Sequence, residues 1–190
     1  MLFSRFVFDF LDRVMYLNCN VTFIKGIKVE KNVVYNEAKS DVCKADLYYK
    51  PEREGLYPVL LNIHGGGFVA GNKKFRLAYS KDVANTGYFV MSINYTLCPG
   101  VKFPEFLLEC ATALDWIKDN AEKYRLDLNN VHIAGDSAGA YIAAYLGILS
   151  YNAELRKKLN VPDFTVPIKG LVLYCGPYQV DELLTKKNYA

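Results

Sequence analysis

The sequence predicts an α/β fold, with a mostly parallel central sheet, helices on both faces and an antiparallel pair of strands at its start. Three observations carry this. From Ile63 onward, apolar runs of strand length alternate with segments of helical spacing, the pattern of strand–helix–strand units joined by right-handed crossovers. Two glycine-rich turns, His64-Gly65-Gly66-Gly67 and Gly135-Asp136-Ser137-Ala138-Gly139, each directly follow such a run, where the loops of an open α/β sheet gather around a site. With 190 residues, 52% of them hydrophobic and 23% charged, the chain can bury a core as one domain and is not of disordered composition.

The elements follow in order. Phe3, Phe6, Val7, Phe10, Val14 and Leu17 recur at helical spacing, which predicts an N-terminal helix within residues 1–25. Its polar positions include Asp9 and Asp12, which a signal peptide would not carry through its apolar region, so the stretch reads as part of the mature protein. Residues 26–190 then form the core domain. Ile27–Tyr35 and Val42–Tyr49, joined by a polar connection, read as the antiparallel pair. Tyr57–Ile63 is a buried strand running into His64. A helix is expected around Phe75–Asn85, a strand over Tyr88–Asn94, and a long helix from Glu105 to about Tyr124, with Pro104 at its opening. Asp127–Asn130 reads as the turn into the strand Val131–Ala134. A helix follows Ser137, then a charged exposed stretch over Glu154–Asn160, and an apolar strand, Ile168–Cys175, ended by Gly176-Pro177.

Composition removes several classes of function. A net charge of +3 without a basic stripe gives no footprint for nucleic acid. No apolar stretch has the length of a membrane span, so no stable membrane insertion is expected. Cys19, Cys43, Cys98, Cys110 and Cys175 are odd in number and lack C-x-x-C spacing; this argues against a disulfide framework or a zinc site and suits a cytoplasmic protein.

The chemistry lies in the two glycine turns. Consecutive glycines at Gly65, Gly66 and Gly67 let several backbone N–H groups face one point, which suits a phosphate or the oxyanion of a tetrahedral acyl intermediate. The phosphate reading fails in detail. Gly66 and Gly71 have P-loop spacing, but Asn72 stands where that motif needs Lys, and the dinucleotide spacing G-x-G-x-x-G ends at Ala70. Strand, G-x-S-x-G, helix is the context of a nucleophile elbow, in which a strained turn lifts the serine oxygen above the sheet. Ser137 is therefore the candidate nucleophile, the N–H groups of Gly66, Gly67 and Ala138 the candidate oxyanion hole, and His64 and Gly65 its support. Apolar Phe68 and Val69 beside the loop point to an uncharged acyl group. Cys98, Cys110, Tyr141 and Tyr145 read as packing residues.

At this point the sequence resembles the hormone-sensitive-lipase-like carboxylesterases of the α/β-hydrolase fold. His64–Phe68 matches the family's H-G-G-G-[FW], Gly135–Gly139 its G-D-S-A-G, Asn94–Pro99 its [DN]-Y-x-L-x-P and Phe103-Pro104 the F-P that follows. The resemblance covers about Ile27 to Tyr178. It implies hydrolysis of small carboxylic esters through an acyl-enzyme, without metal or cofactor, and allows the N-terminal helix a place in a cap over the acyl pocket.

One departure stands out. The resemblance implies a triad in the order Ser, acid, His, yet the sequence holds two histidines, His64 and His132, and both precede Ser137. His64 belongs to the oxyanion loop, and His132 reads as a strand residue. None of Glu154, Asp163, Asp181 and Glu182 sits in the family's later D-P-[LF] motif, so neither triad acid nor His is assigned. With the serine alone only residual acceleration is expected, and the strand Ile168–Cys175 is expected to be a bare sheet edge. The sequence thus reads as the N-terminal part of an esterase. A non-catalytic relic that binds acyl ligands or a partner, and a peptidase or formamidase of the same fold, stay open as alternatives.

Overall fold

The computed structural model describes residues 6, 7, 10, 13, 14, 22–164 and 166–178. Six strands, β1 (Lys28–Val34), β2 (Lys44–Tyr49), β3 (Tyr57–Ile63), β4 (Phe89–Ile93), β5 (Leu126–Asp136) and β6 (Ile168–Tyr174), form one sheet in the order β1-β2-β4-β3-β5-β6. β1 pairs antiparallel with β2, and β2 antiparallel with β4, while β4, β3, β5 and β6 are parallel. The crossovers carry α1 (Leu77–Asn85), α2 (Glu105–Asp119) with the short α3 (Ala121–Tyr124), and α4 (Ala138–Tyr151) with α5 (Ala153–Leu159).

Strand periodicity divides the core. Val59, Leu61 and Ile63 of β3, with Phe89, Met91 and Ile93 of β4, face the α2 and α4 side, where they meet Leu107, Leu114, Ile117, Ile142 and Leu146. Leu60, Val90 and Tyr48, the alternate positions, face the other side and pack with Ala84 and Val83 of α1. Helices therefore cover both faces, as the alternation predicts.

Two expectations are corrected. Asp127–Asn130 is strand rather than turn, because Leu126 already pairs with Tyr57 and an irregular register between Tyr57 and Val59 accommodates the extra length. The long helix stops at Asp119: the Asn120 side chain donates to the Trp116 carbonyl at 2.9 Å, competing with the helical ladder, and α3 restarts after it. The helix after the elbow begins at Ala138. The charged stretch over Glu154–Asn160 buries no residue, as expected; most of it is helical, capped by the Asn152 side chain, which accepts from the Leu155 N–H at 2.9 Å.

Among the described residues the expected edge is observed. β6 lies at the border of the sheet with Leu171, Val172, Leu173 and Tyr174 between 37% and 48% exposed. Of the predicted N-terminal helix, residues 6, 7, 10, 13 and 14 are helical with exposed side chains, and the rest of that expectation lies outside the described residues. Among the described residues no helix is long and apolar enough to cross a membrane.

Candidate active site

β3 and β5 are adjacent and parallel, with Ile63 opposite Gly135, so the turns that follow them emerge side by side. The contact between these turns is close. A Cβ on Gly65 would stand 2.6 Å from the Asp136 carbonyl oxygen and 3.1 Å from the Ser137 Cβ. Gly139 lies against the carbonyl of Ile63, and Gly135 against the backbone of Gly139, so only hydrogen fits at each position. Gly65 and Gly139 are thus each required by the other turn.

Ser137 has φ 50° and ψ −117°, a strained conformation for a residue with a side chain. Its N–H donates to the Tyr174 carbonyl of β6 at 2.8 Å, and its own carbonyl accepts from the Tyr141 N–H at 3.1 Å. The turn is therefore held from the next strand and from the helix it starts. Because glycine adopts this φ freely, Ser137→Gly is expected to stabilise the fold by about 1 kcal/mol while removing the hydroxyl. Urea denaturation of the two proteins checks this, and an unchanged or lower midpoint would show that no strain is held there.

In the loop after β3, Gly66 has φ 119° and Gly67 φ 60°. The Gly66 carbonyl turns away into the following turn, accepting from Val69 and Ala70 at 3.2 and 3.0 Å. Among the described residues neither the Gly66 nor the Gly67 N–H has a protein acceptor. Ala138 opens α4, so its N–H has no acceptor one turn back within the helix, and the Ser137 side chain caps none of that turn. Three donors near the serine are thus available to a negatively charged oxygen.

His64 is fully buried and stacks on Tyr95 with ring centroids 4.6 Å apart. Its Nδ1 donates to the Gly65 carbonyl at 2.7 Å, and the Tyr95 hydroxyl donates to the His64 carbonyl at 3.1 Å. Burial pushes its pKa down to about 4, against a partial upward pull from the Gly65 hydrogen bond. It is a neutral brace for the loop. His132 stays on β5 beside the Tyr88 ring, five residues short of Ser137 and about 16 Å down the strand. The structure brings neither imidazole into position as a base for Ser137.

Several residues of the site escaped the sequence reading. Arg76 grips Asp136 with two hydrogen bonds, Nε at 2.8 Å and Nη2 at 2.5 Å, and the same carboxylate accepts from the Gly65 N–H at 3.2 Å. Asp136 therefore ties the glycine loop to the elbow, and Arg76 fixes Asp136. Lys73, buried, pairs with Asp46 of β2 at 2.5 Å and donates its backbone N–H to the Asn94 side chain at 2.7 Å. Glu109 of α2, also buried, accepts from the Thr96 N–H at 2.7 Å beside Tyr95. Phe68 packs on Phe106 and Tyr141 at 5.2 and 5.6 Å, and Tyr141 on Tyr145 at 4.7 Å, which gives the apolar residues beside the loop an aromatic wall. Asp136, flanked by the two motif glycines, was the one local signal for this tie.

The BD-FAE family profile matches residues 45–189, most of the chain and all of this site. The chain belongs to the BD-FAE family. Relatives agree on the superfamily: a putative alpha/beta hydrolase of Acanthamoeba polyphaga mimivirus is 35% identical over 63% of this chain and 34% of its own length. An arylesterase of Saccharolobus solfataricus is 29% identical over 60% of this chain and 38% of its own. Among solved structures, esterase B of Lactobacillus rhamnosis superposes with a TM-score of 0.83 at 25% identity, over 91% of this chain and 56% of that one. This BD-FAE chain thus has the α/β-hydrolase fold and, at the level of the family, belongs with the esterase- and lipase-like carboxylic ester hydrolases. It spans about a quarter to a half of the length of the curated relatives it matches.

Proposed function

We propose that this chain supplies the nucleophile and the oxyanion hole of a serine carboxylesterase of the hormone-sensitive-lipase-like type, acting on small esters with short to medium acyl chains. The observation that carries the proposal is the packing of the glycine loop on the elbow, with unspent N–H groups at Gly66 and Gly67 beside Ser137. Ser137 Oγ attacks the ester carbonyl, and as its oxygen becomes negative the N–H groups of Gly66, Gly67 and Ala138 receive it. Each such donor is worth about 10²–10³ in rate. The alcohol leaves and water releases the acyl group from Ser137.

Both steps need a base. These 190 residues contain no histidine after Ser137, and His64 is buried with its Nδ1 committed to Gly65. Full activity therefore calls for an imidazole and a carboxylate from outside these residues. On this reading residues 26–190 are hydrolase core, and residues 1–25 contribute to a cap over the acyl pocket.

The test is hydrolysis of p-nitrophenyl butyrate by the product purified from its own source cells, beside the same product carrying Ser137→Ala. The substitution is expected to lower kcat by about 10³-fold or more. Equal rates would overturn the reading.

A further inference from the structure

At the opposite end of the sheet from Ser137, the start of β1 and of β3, the end of β2 and the junction of α3 with β5 line an open cavity of about 230 Å³. Its floor is aromatic. Tyr49, Tyr57 and Tyr124 are buried, and the Tyr49 ring meets each of the other two edge-on with centroids 5.9 Å apart. Its rim is cationic, with Lys28, Lys123 and Arg125 against the single carboxylate Glu30.

That carboxylate is already engaged. Glu30 Oε1 accepts from the Tyr49 hydroxyl at 2.5 Å and from Lys28 at 3.0 Å, and Oε2 accepts from the Tyr124 hydroxyl at 3.0 Å. These bonds lower the Glu30 pKa from its ordinary value, the Tyr49 hydrogen bond first among them. Lys28 and Glu30 thus balance each other, and the lining keeps two positive charges in excess. Lys123 stands 4.7 Å over the Tyr124 ring and has no carboxylate partner among the described residues. The Arg125 Nη2 donates to the Arg53 carbonyl at 2.9 Å and to the Tyr57 hydroxyl at 3.3 Å, and its guanidinium lies over the Tyr57 ring, 5.3 Å from the centroid. Arg125 holds this position with φ 55°, in the left-handed region.

We propose that this cavity binds a single-ring aromatic anion, an aryl phosphate or aryl carboxylate. The ring packs against the cationic groups that cover the tyrosine faces, Lys28 over Tyr49 and Arg125 over Tyr57, and the anionic group meets Lys123 and Arg125 at the rim. The size admits one ring with its substituent, and the surplus charge selects the anion. Since β5 runs from this cavity to the elbow, the site lies roughly 30 Å from Ser137 and is independent of the chemistry proposed there.

The chain carries its own reporter. Its single tryptophan, Trp116, packs on Tyr124 with ring centroids 5.7 Å apart. Titration of the chain with phenyl phosphate is expected to change Trp116 fluorescence saturably, with an affinity about tenfold or more above that for inorganic phosphate or cyclohexyl phosphate. Benzoate is expected to give the same saturable response. Lys123→Glu, at an exposed position, and Arg125→Asn, which keeps the left-handed backbone, are each expected to weaken phenyl phosphate binding about tenfold or more, while Ser137→Ala leaves it unchanged. No saturable change, equal affinity for inorganic phosphate, or binding that survives Lys123→Glu would overturn the proposal.

Discussion

Gly139→Ala is expected to destabilise the chain by about 3 kcal/mol or more, read as a drop in the urea midpoint or as loss of soluble protein. The new methyl would press on the carbonyl oxygen of Ile63 and, at 2.7 Å, on that of His64. Both are backbone atoms at the end of a central strand and cannot swing aside as a side-chain tip can. Gly135 of β5 also lies against Gly139, so α4 is packed closely on both strands at this point. Gly147→Ala, two turns further along the same helix, is the control. Its methyl would meet a Leu171 side chain at 2.5 Å, on the sheet's edge strand, where that side chain can turn. The gain in helix propensity, about 1 kcal/mol, offsets much of the crowding there. If the two substitutions cost the same, close packing of the elbow on the loop is not what these glycines serve.

The second large effect is a dependence on pH centred on His64. Its pKa in the folded chain is about 4, against an ordinary 6.5, because burial disfavours the imidazolium. Between these values the unfolded chain binds a proton that the folded chain does not, so stability rises with pH across this window. The contribution is fully present above about pH 6.5 and is lost as pH falls toward 4, amounting to about 3 kcal/mol. Urea titrations between pH 4 and 7 should show this slope. His64→Gln, which cannot titrate, should flatten it, at the cost of a lower stability at neutral pH from the lost stacking on Tyr95. A slope unchanged by the substitution would assign the titration elsewhere.

What was legible in the sequence was what local chemistry demands. Alternating apolar residues had to make strands, and glycines at fixed spacing around a serine had to make a turn that admits no side chains. Both needs are met within a few residues, so they leave a pattern. Arg76 left none, because its partner Asp136 is 60 residues away and no local rule calls for an arginine at the end of a short 3₁₀ turn. The same holds for Lys73, whose charge is buried against Asp46 of β2, 27 residues away, and for Glu109, which meets the loop at Thr96. The extension of β5 back to Leu126 was hidden for a related reason. Asp127 and Asn129 are poor strand residues, and it is pairing with Tyr57, a residue distant in sequence, that extends them. Asn120 ended a helix that composition alone would have continued to Tyr124.

The hydrogen bond from the Gly65 N–H to Asp136 joins positions 71 residues apart. Such a proton cannot reach solvent by fraying of a single turn. Its exchange requires the loop after β3, the elbow and the Arg76 clamp to separate together, an opening of the whole central unit. The amides of Gly66 and Gly67, next along the chain, have no such partner. In a deuterium-exchange experiment this glycine run would therefore hold one of the slowest amides of the molecule directly beside two of the fastest. The boundary between rigid frame and open donor falls within a single peptide step.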